Sequence, residues 1–259
     1  MFPVIPMEVP TLYGPFHLIF LIVSTLCAFI LCAAFRAGKI HHPGRLIFCF
    51  GLFTLLIEIY KQAYLLIHLP YYQVNALPLQ FCSMIIYVAL LVPTMKPSKV
   101  RTALYNFLAL YLGLSGISVM FFPNTVFTGD LILNIHTMLW HGTMVVAGVF
   151  AWYIRPIQDV KRSMKAAFTV FITLVGAALV INWLSYHLPL FAYGQATNLW
   201  YVGPYLKLSH PIIDAVYAAG GWPLYLLAYV FTFTLGATLL AWLNHLGYRK
   251  KLRWFPNPS

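Results

Sequence analysis

The chain has 259 residues, of which 61% are hydrophobic and only 8% are charged. A soluble globular domain carries about a quarter charged residues, so this composition excludes a domain surrounded by water. The net charge of +11 resembles that of nucleic-acid-binding proteins, but the placement of the basic residues favours a different role.

Seven long apolar stretches follow one another along the chain. A bilayer core of about 30 Å needs roughly 20 apolar residues per helix, and each stretch is about that long. They cover about residues 16–36, 46–67, 77–95, 103–122, 132–154, 166–186 and 222–247. Few residues remain outside them, so we predict an all-α membrane protein: a single seven-transmembrane-helix bundle that forms one polytopic membrane domain over residues 1–259.

The basic residues lie in alternate connections between the predicted helices. Fourteen of the sixteen Lys and Arg residues fall between helices 1 and 2, 3 and 4, or 5 and 6, or follow helix 7. Basic connections face the cytoplasm and anionic lipid headgroups. We therefore predict an outside N-terminus, a cytoplasmic C-terminus and a location in the cell membrane. Membrane lipids, and not nucleic acid, are the expected partners; the sequence does not indicate an oligomeric state.

Under this orientation, strongly hydrogen-bonding side chains concentrate in the outer half of the bundle. Helices 2, 4 and 6 run outward and helices 3 and 5 run inward, which gives each polar residue its depth. The layer contains Glu58, Lys61, Gln62, Gln80, Cys82, Ser83, Ser115, Ser118, Asn134, His136, His141, Asn182 and Ser185. We predict a polar cavity that opens towards the outer leaflet.

Predicted helix 2 carries two opposite charges within the membrane. Glu58 and Lys61 have an i, i+3 spacing, which allows their side chains to pair. Pairing offsets part of the roughly 2.5–3.5 kcal/mol that a charge at the bilayer centre costs. The pair either holds helix 2 against its neighbours or lines a wet cavity, where it orients a substrate headgroup or a catalytic histidine. Both interpretations place this face of the helix towards the bundle interior.

The segment LPLQFCSM, residues 77–84, places a thiol near the start of predicted helix 3. Pro78 suits the first turn of a helix, so Cys82 would lie just past the positive end of the helix dipole, which favours a thiolate. His141 enters the bundle from the same side at a comparable depth. A cysteine beside an imidazole and oxyanion donors is a candidate nucleophile, with Ser83 a weaker candidate. The alternative is that Cys82 is a packing residue.

Two histidines of predicted helix 5 point in different directions. His136 and His141 differ by about 140° around the helix, so we do not expect them to share a ligand. Neither His-x-x-x-His nor Cys-x-x-Cys occurs, and the nine histidines are scattered. We expect no metal site.

Residues 187–221 form the longest connection, and it is aromatic and nearly uncharged. Tyr and Trp at this density are typical of a membrane interface. A short helix is predicted from Ser209 and Pro211 to about Ala219, ended by Gly220 and Gly221. The connection is either a lid over the polar layer or a passive interfacial segment.

Three segments, LPLQFCSM, LNIHTMLWHGTMVVAGV and INWLSYHLP, precede the long loop that ends in DAVYAAGGWPLY. In this order and spacing, over about residues 45–245, they resemble the YwaF-type integral membrane proteins, which are similar to the eukaryotic transmembrane protein 164 family. The resemblance implies an acyltransferase that moves a fatty acyl chain between phospholipids using one cysteine and one histidine. By position in the matching segments, these residues would be Cys82 and His141.

The first functional hypothesis is therefore a phospholipid acyltransferase that forms a thioester on Cys82. No cofactor is expected, because an ester donor already carries an activated acyl group. The residues expected to bind substrate or to provide polar support are Glu58, Lys61, Gln80, Ser83, Ser115, Asn182 and His136. The alternatives are a small-solute transporter or permease component that uses the Glu58–Lys61 pair, and a seven-helix membrane protein without chemistry.

Overall fold

The chain folds into seven successive helices. The computed structural model describes residues 5–123, 126–188, 195–205, 211–250 and 255, with the backbone alone at 211–213. Within these residues, seven helices are long and apolar enough to cross a membrane. The only β-pairing in the described part of the chain is an isolated bridge between Pro6 and Asp130. The predicted all-α class and helix count are confirmed.

The helices lie in the predicted stretches, except that the third crossing, Val74–Thr94, is regular α-helix only in its second half. Their bounds are α1 Pro15–Arg36, α2 Pro43–His68, α3 Met84–Thr94, α4 Lys99–Phe121, α5 Leu131–Ile154, α6 Val160–His187 and α7 Pro211–Arg249. Every backbone polar group inside a bilayer needs an internal partner, and a helix supplies one within its own segment. Apolar stretches of this length therefore form helices across the whole membrane.

Polar side chains fix the starts of three helices and explain why two of them begin before the predicted stretch. Ser98, Asp130 and Asp159 each accept a hydrogen bond from a backbone N–H in the first turn that follows. Such caps satisfy donors that have no partner within the helix. Consequently α4 begins at Lys99 and α6 at Val160, several residues before the apolar windows.

Predicted helix 3 differs from the structure at its start. Regular α-helix begins only at Met84, after two single turns of 3₁₀-helix at Val74–Ala76 and Phe81–Ser83. Cys82 thus precedes α3 and does not lie inside it. The segment is irregular because its polar groups bind a distant part of the chain, as described below.

Helix α4 changes its winding halfway across the bundle. Leu108–Leu112 form a π-helical turn between Lys99–Phe107 and Gly113–Phe121, and all five residues of the turn are buried. The first part of α4 packs against α6, and the last part packs against α5. The wider turn lets one membrane crossing present two different faces to two neighbours.

Helix α5 lies at the centre of the bundle and contacts α1, α2 and α4. Its closest neighbour is α4, because Gly148 and Gly113 face each other with no side chain between the backbones. One turn away, a Cβ added at Gly116 would lie 2.7 Å from the Cβ of Met144. Small residues allow helices in a membrane to approach closely and to gain dispersion contacts. These close contacts fix which face of α5 is turned towards α4.

Helix α7 contains a break close to its start. Gly220 and Gly221 leave the helical conformation, and Gly221 has a φ of 66°, which glycine adopts without a steric penalty. The short helix predicted to end at this pair is confirmed from Pro211 onward, whereas Ser209 lies outside the described residues. The predicted long connection is therefore helical in its last third.

Candidate functional site

The charged pair predicted on α2 is formed. Lys61 Nζ lies 2.7 Å from Glu58 Oε1, and the Glu58 side chain is only 4% exposed. Thr54, one turn before Glu58, is also buried. This face of α2 therefore points into the bundle, where Lys61 supplies the counter-charge that a buried carboxylate needs.

Gln62 extends this pair towards the segment before α3. Its Nε2 donates to Glu58 Oε1 at 2.6 Å and to the Ala76 carbonyl at 2.7 Å. The Tyr72 hydroxyl donates to Gln62 Oε1 at 2.6 Å. Burial, and then the charge of Glu58, raise the pKa of Tyr72, so the phenol keeps the proton that this hydrogen bond requires.

His136 of α5 faces the second oxygen of Glu58. Its Nε2 lies 3.8 Å from Glu58 Oε2, which is beyond hydrogen-bonding distance. Both atoms are buried, and neither has a hydrogen-bond partner among the described residues. The two atoms therefore face each other in the bundle interior, too far apart for a direct hydrogen bond and with no water-sized space at either atom.

Trp140 connects the charged pair to the predicted nucleophile. Its indole N–H donates to the Cys82 carbonyl at 3.3 Å, and Lys61 Nζ lies 5.9 Å from its ring centre. The His136 ring packs against the same indole, with 5.2 Å between ring centres. Cys82 also lies within electrostatic range of Lys61 and Glu58. We call Glu58, Lys61, Gln62, Cys82, His136 and Trp140 the polar cluster.

His141 lies on another face of α5. It is one heptad from Gly148, which packs against α4, whereas His136 faces α2. His141 Nδ1 is 2.8 Å from the Thr137 carbonyl. Because a carbonyl only accepts, Nδ1 carries the hydrogen, and Nε2 of the neutral ring is left with a lone pair. No hydrogen bond joins His141 to Cys82 among the described residues.

Gln80 and Asn182, predicted as oxyanion or headgroup donors, make hydrogen bonds to the backbone of a distant segment. Gln80 Oε1 accepts from the Trp200 N–H at 2.8 Å. Asn182 Oδ1 accepts from the Leu199 N–H at 2.7 Å, and its Nδ2 donates to the Leu199 carbonyl at 3.1 Å. We call residues 195–205 the cover segment; Gln80 holds it against the segment that contains Cys82, and Asn182 holds it against α6.

The cover segment is tightly constrained. Trp200 and Tyr201 both have left-handed backbone conformations, with φ of 59° and 56°. This conformation is uncommon for bulky residues and persists only where surrounding contacts enforce it. The Trp200 ring packs on Phe81 with 4.6 Å between centres, and Tyr225 donates to the Tyr201 carbonyl at 2.9 Å.

The two predicted serines have different surroundings. Ser83 is buried beside Cys82 and immediately precedes α3, but its side chain does not cap that helix. Ser115 is buried in the last part of α4, and no hydrogen bond to the polar cluster is found for it among the described residues. The structure therefore places Ser83 near the thiol and leaves Ser115 without a demonstrated link to it.

Gln62 and Trp140 make central contacts in the polar cluster, although the sequence predicts no specific role for either residue. The only local signal is helical spacing: Gln62 is four residues after Glu58, and Trp140 is four residues after His136. Among the described residues, no group of three His, Cys, Asp or Glu side chains could hold a metal ion.

The role of Asn182 predicts a local effect of mutation. Asn182→Leu removes three hydrogen bonds from buried groups of the cover segment, each costing about 1–3 kcal/mol when a buried polar group is left unpaired. We expect faster hydrogen exchange and proteolysis within residues 195–205.

Asn244→Leu is the matched control. Asn244, near the end of α7, is equally buried and also makes three hydrogen bonds. Its partners are residues 152–157, at the end of α5 and just after it. This variant should lose global stability without exposing the cover segment. Equal protection of residues 195–205 in both variants would contradict the role given to Asn182.

Seven apolar helices around a buried polar cluster define a polytopic helical membrane protein with an intramembrane polar site. The model of the TMEM164 family matches residues 12–241, and the chain belongs to that family. The matched range includes Glu58, Cys82 and both histidines of α5. No curated protein and no solved structure was found to match the chain. The predicted family resemblance is thereby confirmed, while the likeness to YwaF-type proteins stays a prediction.

Proposed function

We propose that the chain is a phospholipid acyltransferase of the cell membrane that carries the acyl group on Cys82. The observation that carries this proposal is the position of a thiol beside a buried charged cluster in a TMEM164-family chain. His141 is the proposed proton acceptor, as the resemblance implies. Its Nδ1–H bond to Thr137 supports this role, because it leaves the lone pair on Nε2.

The proposed reaction has two steps. Cys82 Sγ attacks the ester carbonyl of a donor phospholipid, and His141 Nε2 takes the thiol proton. The carbon–oxygen bond to the donor then breaks, the departing lysophospholipid oxygen takes that proton, and a thioester remains. In the second step an acceptor hydroxyl attacks the thioester carbonyl, the carbon–sulfur bond breaks, and the hydroxyl proton ends on the cysteine sulfur.

Two features near Cys82 support negative charge during these steps. Helix α3 begins two residues after Cys82, so the partial positive charge at its N-terminus lies close to the sulfur. The Lys61 ammonium is within electrostatic range of the same thiol and favours the thiolate, whereas the Glu58 carboxylate, in the same range, opposes it. The positive end of α3 is therefore the contribution that the Lys61–Glu58 pair does not offset, and it stabilises a thiolate and a developing oxyanion.

The topology is also part of the proposal. We place the N-terminus outside and the C-terminus in the cytoplasm, because the basic residues lie in alternate connections. The polar cluster then lies in the outer half of a single seven-helix domain, below the cover segment. Lipids of the outer leaflet are the proposed substrates.

A second candidate function is a small-solute or proton transporter. Buried unpaired polar atoms within a membrane, here Glu58 Oε2 and His136 Nε2, are typical of ion and proton pathways. In that case the carboxylate would be essential and the thiol would be dispensable.

The test is lipid profiling of cells that express the wild type, Cys82→Ala or His141→Ala, with Cys49→Ala as the control because Cys49 is an exposed cysteine on α2. We expect acyl redistribution between phospholipids to fall at least about a hundredfold in the first two variants, and to be unchanged in the control. A labelled acyl group should be recovered on Cys82 and released by neutral hydroxylamine.

The transporter interpretation predicts the opposite pattern. Cys82→Ala and His141→Ala would behave as the wild type, while Glu58→Gln would abolish solute uptake. Wild-type protein that neither redistributes acyl chains nor carries a labelled acyl group would overturn the acyltransferase proposal.

A further inference from the structure

A cavity of about 800 Å³ lies beside α1, between that helix, α5 and the last part of α4. None of the residues of the polar cluster lines it, and neither does His141. Its volume is within the range of about 300–1,000 Å³ that is typical of ligand pockets. The cavity is therefore a separate candidate binding site, and the chemistry of its walls defines what it can bind.

Helix α1 contributes one continuous stripe to the wall of the cavity. Thr25, Phe29, Cys32 and Arg36 all line it. Successive members are three or four residues apart, so they lie on one face of the helix. Arg36 is the last residue of α1. A largely apolar stripe therefore ends in a guanidinium at the end of the helix.

The wall that belongs to α5 offers few polar atoms to a ligand. It consists of Val145, Val149, Trp152 and the adjoining Tyr153. The Trp152 indole N–H is already bonded to the Leu240 carbonyl at 2.8 Å. Among the described residues that line the cavity, Arg36 is the only charged one. A matching ligand is apolar along its length and negatively charged at one end.

The length of the cavity matches one leaflet of a bilayer. Thr25 and Arg36 are eleven residues apart, which is about 16 Å along a helix axis. The hydrocarbon core of a bilayer is about 30 Å thick, so one leaflet accounts for about 15 Å of it. An acyl chain whose headgroup lies beside Arg36 therefore spans the same depth as the stripe on α1.

The cavity is too small for a helix of a second protein chain. A helix with its side chains is about 10 Å wide, so over about 16 Å it occupies roughly 1,200 Å³. The cavity offers about 800 Å³. An acyl chain is much thinner than a helix and adapts to the shape of a groove, so a lipid fits where a helix does not.

The charges around Arg36 favour an anionic headgroup. The end of α1 lies at the same end of the bundle as the start of α2 and the ends of α5 and α7, where the basic connections lie. Of the five acidic residues of the chain, only Asp159 belongs to this end, and it caps α6. Basic pockets between transmembrane helices bind anionic lipid headgroups, and a guanidinium can donate two parallel hydrogen bonds to a phosphate.

We propose that this cavity binds an anionic phospholipid, with one acyl chain in the cavity and the phosphate at Arg36. The site is independent of the proposed acyltransferase activity, because it shares no residue with the polar cluster and does not include His141. Helix α1 packs mainly on α5. The lipid fills space that the protein leaves open beside α1 and so stabilises the position of this helix.

The first experiment compares two headgroups that carry the same acyl chains. The full chain, purified in detergent, is titrated with dioleoyl phosphatidylglycerol and with dioleoyl phosphatidylcholine, and native mass spectrometry counts the bound lipids. We expect the first phosphatidylglycerol to bind about fivefold more tightly, which is the contribution of one basic residue near an anionic lipid. Equal affinity for the two lipids would overturn the proposal.

Two charge variants locate the headgroup. Arg36→Gln should reduce the preference for phosphatidylglycerol to less than about twofold. Lys39→Gln is the matched control, because it removes the same charge from the same end of the bundle at an exposed residue that does not line the cavity. This control should keep a preference of at least about threefold. Equal losses in the two variants would show that only the general charge of the connection matters, and would contradict the site.

The second experiment fills the cavity with a side chain. Ala33 lines the cavity and is exposed, so Ala33→Trp should lower the affinity for both phospholipids at least about tenfold. Ile30→Trp is the control, because Ile30 is exposed on α1 but does not line the cavity. Equal affinity in the two tryptophan variants would place the acyl chain elsewhere and refute the proposal. The Arg36 comparison remains decisive if Ala33→Trp fails to fold.

Oleate tests whether the ligand is a phospholipid or a free fatty acid. It has the same acyl chain as the two phospholipids and a carboxylate in place of the phosphate. Weaker binding of oleate than of phosphatidylglycerol would support the phospholipid. Tighter binding of oleate, lost in Ala33→Trp, would make the cavity a fatty-acid site and would show the proposal to be wrong.

Discussion

The Gly148→Ala variant is expected to unfold at a clearly lower SDS concentration than the wild type, with a loss of about 3 kcal/mol. The added methyl group would overlap the Cα of Gly113, which is backbone and cannot rotate away. Helices α4 and α5 would have to separate along their whole contact. SDS titration of the purified protein, followed by tryptophan fluorescence, measures the loss.

Gly176→Ala in α6 is the matched control for this substitution. No atom lies within 4 Å of a Cβ built at Gly176. Alanine is favoured over glycine within a helix by about 1 kcal/mol, so this variant should equal or exceed the wild type in stability. A similar loss in both variants would show that the close approach of α4 and α5 does not limit stability.

The Lys61→Met variant is expected to lose about 3–5 kcal/mol of stability, because it leaves the Glu58 carboxylate buried without a counter-charge. The same SDS titration measures the effect. The double variant Glu58→Gln/Lys61→Met should recover most of the loss, since a neutral amide needs no counter-charge.

A double-mutant cycle gives the decisive comparison for this pair. If the double variant loses the sum of the two single losses, the side chains are energetically independent. That result would contradict the view that Lys61 is present chiefly to neutralise Glu58, and it would weaken every argument based on the charge of this cluster.

The features predicted best from the sequence are those set by the bilayer or by local spacing. A membrane-spanning segment must be apolar for about 20 residues, so hydropathy finds all seven helices. The Glu58–Lys61 pair is predictable because both partners lie within one turn of α2. Neither feature depends on how distant parts of the chain meet.

The surroundings of Cys82 could not be predicted in the same way. Gln80 binds the backbone of Trp200, and Asn182 binds that of Leu199. An asparagine or glutamine that holds a distant loop and one that binds a substrate can have the same residue type and the same depth in the membrane. The sequence therefore does not distinguish the two roles. The irregular start of α3 has the same origin, because its polar groups find their partners in the cover segment.

The two histidines show where periodicity ceases to be informative. Helical spacing separates His136 from His141 by about 140°, and the structure directs His136 towards Glu58 of α2. Spacing does not reveal which face meets α2. That choice depends on the rotation of α5, which is fixed by the contact between Gly148 and Gly113.

The π-helical turn in α4 has a mechanical consequence. Because the first part of α4 packs on α6 and the last part on α5, this one helix links the two neighbours. Helix α6 carries Asn182 and so holds the cover segment, while α5 carries both histidines. A displacement of the cover segment is therefore passed, through a single membrane crossing, to the helix that bears the two histidines.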